Sequence, residues 1–529
     1  MSAKEHTKQK MTINDFKNTI LSDYRLINEC REASLLGRRD VLSGKGSFGI
    51  FGDGKELAQI ALSKVFRNGD FRAGYYRDQT LMMALGQLST RQMFSHLYGN
   101  PELSAEPSSG SRQMMNHFGS RFLNEDGSWR NLMEQKNSSS DMACLTSQFP
   151  RLVGLAQASK VYREDEMLAK KKSKFTSGGN EVAYATIGNS SCAEGHFFEA
   201  VNAIGVLQVP VVISVWDDGY GISVANDVQM TKSDVSEVLK GFQRDEQGEG
   251  FEIMKVRGWD YPALIDTYEK CEKLAREDHI PCIIHVLEMT QPTGHSTSGS
   301  HERYKSKKRL QWEENFDCIK KFGEWIVESK IATKEELDSI CSEVKEFVKT
   351  EKKEAWKTYQ KPLKAELNEL LVILDSIKKK TNISELDGWI ADLKQSEMFG
   401  IFRRDYLSVG RKVMAKIATE DIAEKANPAV VTILTEKKID LSQTHRNLPQ
   451  DNDLFRFFFN QPRQREFRST ALGSGVIVDA KKDFVEFELT ATADAKSGKA
   501  DVVAIAKSKY RGAEWVKESL PVTIEVVPK

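Results

Sequence analysis

The sequence lacks an excess of charge of either sign. Its 529 residues include 76 lysine and arginine residues against 76 aspartate and glutamate residues, so the formal net charge is zero. Proteins that bind nucleic acids usually carry a basic surplus or a basic stripe, and the balance therefore argues against a nucleic-acid partner. With 40% hydrophobic and 29% charged residues, the composition is that of a folded globular chain, and the length predicts two to four domains.

Long apolar runs, a secretory signal and paired cysteines are also missing from the sequence. No run of about 18 apolar residues exists, so we expect no membrane span. The first residues, MSAKEHTKQK, are polar and rich in lysine, which is not the pattern of a secretory signal. The seven cysteines are scattered without a CxxC pair, which predicts free thiols, no structural zinc and a cytoplasmic location.

Three short apolar runs in the centre of the chain have the pattern of buried strands. They are 182–188 (VAYATIG), 209–216 (VPVVISVW) and 281–289 (PCIIHVLEM). Strands of a parallel sheet have this continuous apolar pattern because helices cover both faces of the sheet. Apolar residues at helical spacing separate the first two runs and complete a βαβ unit. We therefore predict an α/β fold with a doubly wound parallel sheet and flanking helices.

Helices and loops are predicted around these strands. Apolar residues recur at helical spacing over 12–36 and over 261–275. The segment 37–54 is rich in glycine and predicts a loop with tight turns, whereas 119–140 and 163–181 are polar and predict surface loops.

The pattern changes twice in the second half of the chain. Between 306 and 416, lysine and glutamate alternate with an apolar stripe at helical spacing, which predicts a helical region. After about 427, short runs alternate between apolar and polar residues as strands do. We therefore predict an α/β domain at 1–305, a helical extension at 306–420 and a small β-rich C-terminal module at 421–529.

The loop 188–195 lies between the first predicted strand and the start of a helix. Backbone N–H groups and the helix dipole at such a position favour a phosphate group. Asn189 lies at the tip of this loop, and Asp218 ends the next predicted strand, just before Tyr220. Because neighbouring parallel strands bring their ends to one edge of the sheet, an amide, a carboxylate and a main-chain carbonyl would meet there. These oxygen ligands suit a Mg²⁺ ion that also binds diphosphate, so we predict Asn189, Asp218 and Tyr220 as its ligands.

This arrangement resembles the cofactor motif of thiamine-diphosphate enzymes, with two residues exchanged. In those enzymes Gly-Asp-Gly is followed, one helix and one strand later, by an asparagine. Here the amide comes first, at Asn189, and the carboxylate second, at Asp218, so the charge of the ligand set is the same. A literal search selects Gly52-Asp53-Gly54 instead, which has no amide at the matching distance and no βαβ unit around it. We interpret that segment as a turn.

Four further segments occur in the order expected for one family of these enzymes. They are 74–86 (GYYRDQTLMMALG), 111–119 (SRQMMNHFG), 141–154 (DMACLTSQFPRLVG) and 294–305 (GHSTSGSHERYK). With them, the chain resembles the alpha subunit of the decarboxylating first component of 2-oxoacid dehydrogenase complexes, most closely the branched-chain type. The resemblance covers residues 12–330 and extends to about 415.

The resemblance implies which residues bind the cofactor. Tyr76 and Arg77 would bind the diphosphate of thiamine diphosphate, for which the planar fork of arginine is suited. Gly188, Ser190 and Glu194, in the loop after the first predicted strand, would complete the cofactor-binding residues.

The resemblance also implies two catalytic histidines. His295 would stabilise or protonate intermediates, and His117 would be a second proton-transfer residue near the cofactor. Leu145 would lie beneath the thiazolium ring, and Ser296 occupies the position at which mitochondrial relatives are phosphorylated. A lone histidine is nevertheless more often structural than catalytic. Similarly, Asn189 and Asp218 could be a capping amide and a turn acid, and the Tyr76-Arg77 pair could lie on the surface.

The activity that the resemblance implies is the oxidative decarboxylation of a 2-oxoacid, with transfer of the acyl group to a lipoyl group. Thiamine diphosphate and Mg²⁺ would be the cofactors, and a branched-chain 2-oxoacid or pyruvate the substrate. A beta-type subunit would supply the pyrimidine-binding half in a dimer of alpha–beta pairs, and the lipoyl domain of the acyltransferase component would be the second partner.

The C-terminal tail suggests an alternative to the 2-oxoacid dehydrogenase function. Residues 421–480, with NPAVVTIL and FRSTALGSGVIVDA (467–480), resemble the start of a high-temperature-requirement family serine protease domain. In those proteases the catalytic histidine follows this sequence, but the last histidine here, His445, precedes 467–480, so no Ser-His-Asp triad can form. The tail does not resemble a pyrimidine-binding half. The chain could therefore be a catalytically incomplete or chimeric cofactor-binding protein with a protease-derived β tail, or a protease-related envelope protein.

Overall fold

The computed structural model describes residues 12–168, 173–425, 434–438, 468–472, 486–491, 499–510, 513–518 and 522–525. The chain divides into two compact units. One unit contains Met1–Ile377 and Asp387–Tyr406, and the other contains Lys378–Leu386 and Leu407–Lys529. The domain boundaries expected near 305 and 420 stay a prediction.

A six-stranded parallel sheet forms the centre of the first unit. Two short strands pair as a hairpin outside it, β5 (Tyr220–Gly221) and β6 (Val224–Ala225). The strands of the main sheet lie in the order β2-β1-β3-β4-β8-β7. Their bounds are β1 (Phe71–Ala73), β2 (Asn137–Ser138), β3 (Ala183–Gly188), β4 (Val211–Trp216), β7 (Glu252–Arg257) and β8 (Cys282–Leu287). The strands predicted from the three apolar runs are thus confirmed as β3, β4 and β8, the central part of the sheet.

Fourteen helices are described. They are α1 (Ile13–Leu42), α2 (Glu56–Val65), α3 (Gln79–Ala84), α4 (Thr90–Tyr98), α5 (Gln148–Glu164), α6 (Gly195–Leu207), α7 (Asn226–Gln229), α8 (Val235–Val238), α9 (Tyr261–Asp278), α10 (Lys307–Asn315), α11 (Cys318–Glu328), α12 (Lys334–Lys378), α13 (Leu386–Phe399) and α14 (Arg403–Lys425). The predicted helical character of 306–416 is confirmed. None of the described helices combines the length and the apolar character that a membrane crossing requires.

The central strands are buried on both faces, as their continuous apolar sequences predict. Successive side chains of a strand point to opposite faces. On one face, Tyr184, Val212 and Trp216 pack with side chains of α1, α2, α9 and α11. On the other face, Ala185 and Ile213 pack with side chains of α5 and α6. The predicted α/β fold with helices on both sides of a parallel sheet is confirmed.

The expected loop at 37–54 is wrong in its first part, because α1 continues to Leu42. Gly37 lies on the buried side of this helix, where a Cβ atom would come within 2.8 Å of the Phe51 ring. The glycine that suggested a loop therefore allows a close aromatic contact inside a helix. The remaining residues to 54 are irregular, as predicted.

In the C-terminal unit, the described strands pair in two antiparallel sheets. The strands β9 (Leu434–Lys438) and β10 (Arg468–Leu472) form one sheet. The other contains β11 (Glu486–Ala491), β12 (Lys499–Tyr510), β13 (Ala513–Glu518) and β14 (Val522–Glu525), with β12 in contact with the other three. These strands agree with a β-rich module. The segments 427–433 and 473–480, on which part of that prediction rested, lie outside the described residues.

Candidate active site

A pocket lies at the carboxyl edge of the sheet, where β3 and β4 end side by side with Gly188 paired to Trp216. Eight of the predicted site residues line it: Tyr76, Arg77, Gly188, Asn189, Ser190, Asp218, Tyr220 and His295. The other residues that line it are Lys55, Tyr75, Ser191, Trp216, Ile222, Gln291, Tyr304 and Lys305. The expected meeting of the two strand ends at one edge is therefore confirmed.

Three predicted site residues do not line this pocket. Leu145 is 48% exposed and lines a smaller adjacent cavity that shares Tyr75, Tyr76 and Ser191 with the pocket. His117 is buried, and its ring centre lies 6.3 Å from that of Tyr76. Glu194 precedes α6, and its exposed side chain makes no capping hydrogen bond, so the structure does not bring it to the pocket.

Asn189 and Asp218 are both buried, and they use their polar atoms differently. The Asn189 Nδ2 group donates to Asn226 Oδ1 at 2.5 Å and to the Tyr220 carbonyl at 3.4 Å. Asp218 Oδ1 accepts from the Tyr220 N–H at 3.1 Å, and Asp218 Oδ2 accepts from Lys55 Nζ at 2.9 Å. A carboxylate has about four lone-pair sites, so Asp218 retains capacity for a further cation.

Lys55, which no sequence motif singled out, supplies a buried positive charge. Its ammonium donates to Asp218 Oδ2, to the Thr290 carbonyl at 3.0 Å and to Gln291 Oε1 at 2.7 Å. Burial lowers the pKa of Lys55, while Asp218 acts to raise it. Burial by itself would raise the pKa of Asp218, but Lys55 and Arg77 outweigh burial and lower that pKa to about 2. The carboxylate is therefore ionised at neutral pH.

Arg77 joins the pocket to the loop that carries His295. Its guanidinium donates to the Phe51 carbonyl at 2.6 Å, to His295 Nδ1 at 2.9 Å and to the His295 carbonyl at 3.1 Å. Burial lowers the pKa of His295, and Arg77 lowers it further, to about 3. Because arginine only donates, Nδ1 must accept, and the neutral imidazole carries its proton on Nε2.

The polar groups of the pocket fit a polyanionic ligand. Two buried side-chain groups that line it, the Tyr75 hydroxyl and Gln291 Nε2, have no hydrogen-bond partner among the described residues. Both can donate to phosphate oxygens. The lining also includes the cations of Lys55, Arg77 and Lys305 but only one carboxylate, that of Asp218. The residues present therefore fit a diphosphate group.

The predicted metal ligands include only one acidic side chain, that of Asp218. Among the described residues, no group of three or more His, Cys, Asp or Glu side chains is arranged to hold a metal ion. The set at the pocket instead combines the Asn189 amide, the Asp218 carboxylate and the Tyr220 carbonyl. Oxygen donors of these types, completed by phosphate oxygens, are ligands that Mg²⁺ accepts.

Residues 36–364 match the model of the family described as the dehydrogenase E1 component. The chain belongs to this family. The matched segment contains all residues that line the pocket. It ends before the C-terminal module, so the protease resemblance of the tail stays a prediction.

This E1 component chain is similar to several named proteins. It is 25% identical over 307 residues to the 2-oxoisovalerate dehydrogenase subunit alpha of Bacillus subtilis, covering 58% of this chain and 81% of the relative. It is 24% identical over 329 residues to the mitochondrial 2-oxoisovalerate dehydrogenase subunit alpha 2 of Arabidopsis thaliana, covering 62% and 60%. It is 23% identical over 316 residues to the pyruvate dehydrogenase E1 component subunit alpha of Rickettsia prowazekii, covering 58% and 82%.

In this E1 component, the turn Gly52-Asp53-Gly54 leads directly into a residue that lines the pocket. Asp53 and Gly54 form a turn, as interpreted, and Gly54 has a φ of +85°. The next residue, Lys55, enters the pocket. The letters GDGKE, directly before an apolar helix, were the available signal for this residue. Tyr75 and Gln291 carried no comparable signal.

Proposed function

We propose that this chain is the alpha-type subunit of a 2-oxoacid dehydrogenase first component. The reaction is the oxidative decarboxylation of a 2-oxoacid, with transfer of the acyl group to a lipoyl group of the acyltransferase component. The single observation that carries the proposal is the convergence of Arg77, Asn189, Asp218 and His295 in one pocket of an E1 component chain. Branched-chain 2-oxoacids are the leading substrates, and pyruvate is the second candidate, as the names of the relatives suggest.

Thiamine diphosphate is the cofactor that the family implies, and the pocket is suited to its diphosphate. Arg77 and Lys55 offset its negative charge, while the Tyr75 hydroxyl and Gln291 Nε2 are available as donors. Asn189, Asp218 and Tyr220 would hold Mg²⁺ against the diphosphate. When bound, thiamine diphosphate supplies a nucleophilic carbon and an electron sink for decarboxylation.

His295 acts as a neutral hydrogen-bond donor in this proposal. Its low pKa keeps the imidazole uncharged, and the hydrogen bond from Arg77 fixes the proton on Nε2. A neutral donor can hydrogen-bond to a carboxylate or an oxo group of the substrate without trapping it in a strong ion pair. His117, behind Tyr76, is the second candidate for proton transfer.

A beta-type subunit would complete the active site. The proposed heterotetramer contains two alpha–beta pairs, and a lipoyl domain would visit the pocket from the acyltransferase component. Exposed apolar side chains near the pocket support a protein partner there. Leu145 and Ile222 are each 48% exposed, and Val228 is 78% exposed. Their burial against a partner would be favourable because apolar area would leave water.

The test is a decarboxylation assay on the chain mixed with a beta-type subunit, thiamine diphosphate and Mg²⁺. Release of CO₂ from a branched-chain 2-oxoacid is expected, and the Asp218→Ala and His295→Ala variants should each lose at least about 100-fold in kcat. The Asp126→Ala variant is the matched control, since Asp126 lies on an exposed loop. Full activity in the Asp218→Ala variant would overturn the proposal. Absence of turnover with any 2-oxoacid would favour the non-catalytic alternative.

A further inference from the structure

A chain of side-chain hydrogen bonds runs from the buried strand β8 to Asn189. His285, which is fully buried in β8, lies with Nε2 at 3.0 Å from Asp217 Oδ2. Asp217 accepts from the Asn226 Nδ2 group, at 3.1 Å and 3.2 Å to its two oxygens. Asn226 Oδ1 in turn accepts from Asn189 Nδ2 at 2.5 Å. None of these intermediate residues lines the pocket.

The chemistry of the groups fixes the direction of every hydrogen bond in this chain. A carboxylate only accepts, so Asn226 must turn its NH₂ group toward Asp217. The carbonyl oxygen of Asn226 then faces Asn189, which must donate a hydrogen bond to it from its own NH₂ group. Asn189 Oδ1 is thus the atom left over, and it accepts no hydrogen bond from any residue that the structure describes.

Asp217 is itself held in place from two sides. His285 binds one oxygen, and the Gly219 N–H donates to the other at 2.7 Å. Ser236 lies 2.8 Å from the opposite nitrogen of the His285 ring, which restrains the imidazole. The chain therefore begins at a fully buried histidine of β8, passes through the buried Asp217 and the half-buried Asn226, and ends at Asn189.

The fixed orientation of the Asn189 side chain matters because an amide has one oxygen and one NH₂ group. A carboxylate presents an oxygen to a cation in either orientation, but an amide turned the wrong way presents hydrogen atoms. The usual motif of thiamine-diphosphate enzymes places a carboxylate at this first position. The exchange to Asn189 therefore creates a need for orientation, which partners of a metal ligand commonly meet.

We propose that His285, Asp217 and Asn226 are positioning residues that hold the Asn189 oxygen toward the metal ion. The inference rests on the proposed function, since it assigns Asn189 as a ligand of Mg²⁺. It goes further by naming the residues that make an amide usable at a position where the usual thiamine-diphosphate motif has an acid.

The test compares Mn²⁺ binding in two backgrounds, using the full chain with a beta-type subunit and saturating thiamine diphosphate. Free Mn²⁺ is measured by electron paramagnetic resonance. In the natural sequence, Asn226→Leu should weaken Mn²⁺ binding by about 10- to 100-fold, the usual effect of losing such a partner. In the Asn189→Asp background, where either orientation presents an oxygen, the same substitution should not weaken binding. Asn124→Leu, in an exposed loop, should change nothing.

The outcomes separate orientation from general damage to the fold. Equal weakening in both backgrounds would mean that Asn226 only supports the fold, and it would overturn the inference. Unchanged binding in the Asn226→Leu variant would overturn it as well. In both cases the unsubstituted complex still binds Mn²⁺, so the proposed function stands. Failure of the unsubstituted complex to bind Mn²⁺ would instead overturn the proposed function and the inference together.

Discussion

Lys55 and Asp218 are two charged side chains removed from water, and each depends on the other for compensation. The ammonium has three acceptors in the protein, and only one of them carries a charge. Breaking a buried ion pair by removing one partner is costly, because the other charge stays buried without a partner. The stability of the pocket should therefore respond strongly to changes at either residue.

Replacing Lys55 by methionine should lower the free energy of unfolding by about 3–5 kcal/mol, because Asp218 loses its buried partner. Urea unfolding followed by circular dichroism measures the change. The control Lys353→Met, at an exposed position of α12, should stay within about 0.5 kcal/mol of the natural chain. The double variant Lys55→Met with Asp218→Asn should recover part of the loss. A double variant that is no more stable than the Lys55→Met variant would contradict this account of the pair.

His295 should make the stability of the chain depend on pH. Its pKa in the folded state is about 3, below the ordinary value of 6.5, so the unfolded chain binds the proton more readily. With respect to His295, the free energy of unfolding should therefore be at its full value above pH 6.5. It should fall as the pH drops from 6.5 toward 3, by up to about 1.4 kcal/mol per pH unit.

Urea unfolding at a series of pH values measures this dependence. The His295→Gln variant, which cannot take up the proton, should show a flatter decline over the same range. Parallel declines in the two proteins would show that His295 is not the group responsible.

At the level of single residues, the sequence identified those that belong to a motif and missed those that are neighbours only in space. Asn189 and Asp218 end adjacent apolar strands, so the βαβ pattern was sufficient to bring them together. Lys55 lies 163 residues from Asp218 in the chain, and no local pattern reports a contact at that separation. Asn226 and Asp217 were missed because their proposed role is to orient Asn189 through hydrogen bonds, and the sequence does not show the direction of hydrogen bonds.

Among the elements, the turn before α2 packs closely against the backbone of two segments that line the pocket. A Cβ atom on Gly52 would lie 2.4 Å from the Arg77 carbonyl oxygen, and one on Gly54 would lie 2.1 Å from the Thr290 carbonyl oxygen. Both contacts are with backbone atoms, which cannot move aside as a flexible side chain can. The turn therefore helps to set the positions of two segments that line the pocket.

Gly54→Ala should destabilise the chain by more than the cost of its backbone conformation alone. Gly127 has a similar φ, +80° against +85°, but a Cβ atom there would meet nothing within 4 Å. We expect Gly127→Ala to cost about 1–2 kcal/mol and Gly54→Ala about 1–3 kcal/mol more, because a clash is added. Urea unfolding compares the two variants directly. Equal losses would contradict the contact with Thr290.

The elements that could be predicted are those with a strong periodic or continuous pattern. The strands β3, β4 and β8 are apolar throughout because helices cover both faces. In contrast, β7 lies at the edge of the sheet and contains charged residues, and β1 has only three residues. The end of α1 was missed because glycine is typical of loops, whereas Gly37 lies inside the helix and leaves room for the Phe51 ring.

For the molecule as a whole, the residues of the proposed active site are confined to one part of the chain. Every residue that lines the pocket lies between Lys55 and Lys305. The family match ends at residue 364, so it contains the whole lining of the pocket and none of the tail beyond 420. The alternative that assigned the function to a protease-derived tail is therefore not favoured.

Removal of the tail provides a test at this scale. A chain that ends after Lys425, the last residue of α14, should bind thiamine diphosphate with unchanged affinity in the presence of Mg²⁺ and a beta-type subunit. Its unfolding transition should be measured in parallel, so that a loss of folding is recognised as such. A folded truncated chain that no longer binds the cofactor would contradict the assignment of the site to the α/β part alone.

The central claim is that the pocket at the ends of β3 and β4 binds thiamine diphosphate through Arg77, Asn189 and Asp218. Calorimetric titration of thiamine diphosphate with Mg²⁺ into the chain, alone and with a beta-type subunit, tests it most directly. The account predicts binding that tightens with the subunit and is lost in the Asp218→Ala variant but retained in Asp126→Ala. Equal binding by all three proteins, or no binding with the subunit present, would contradict it.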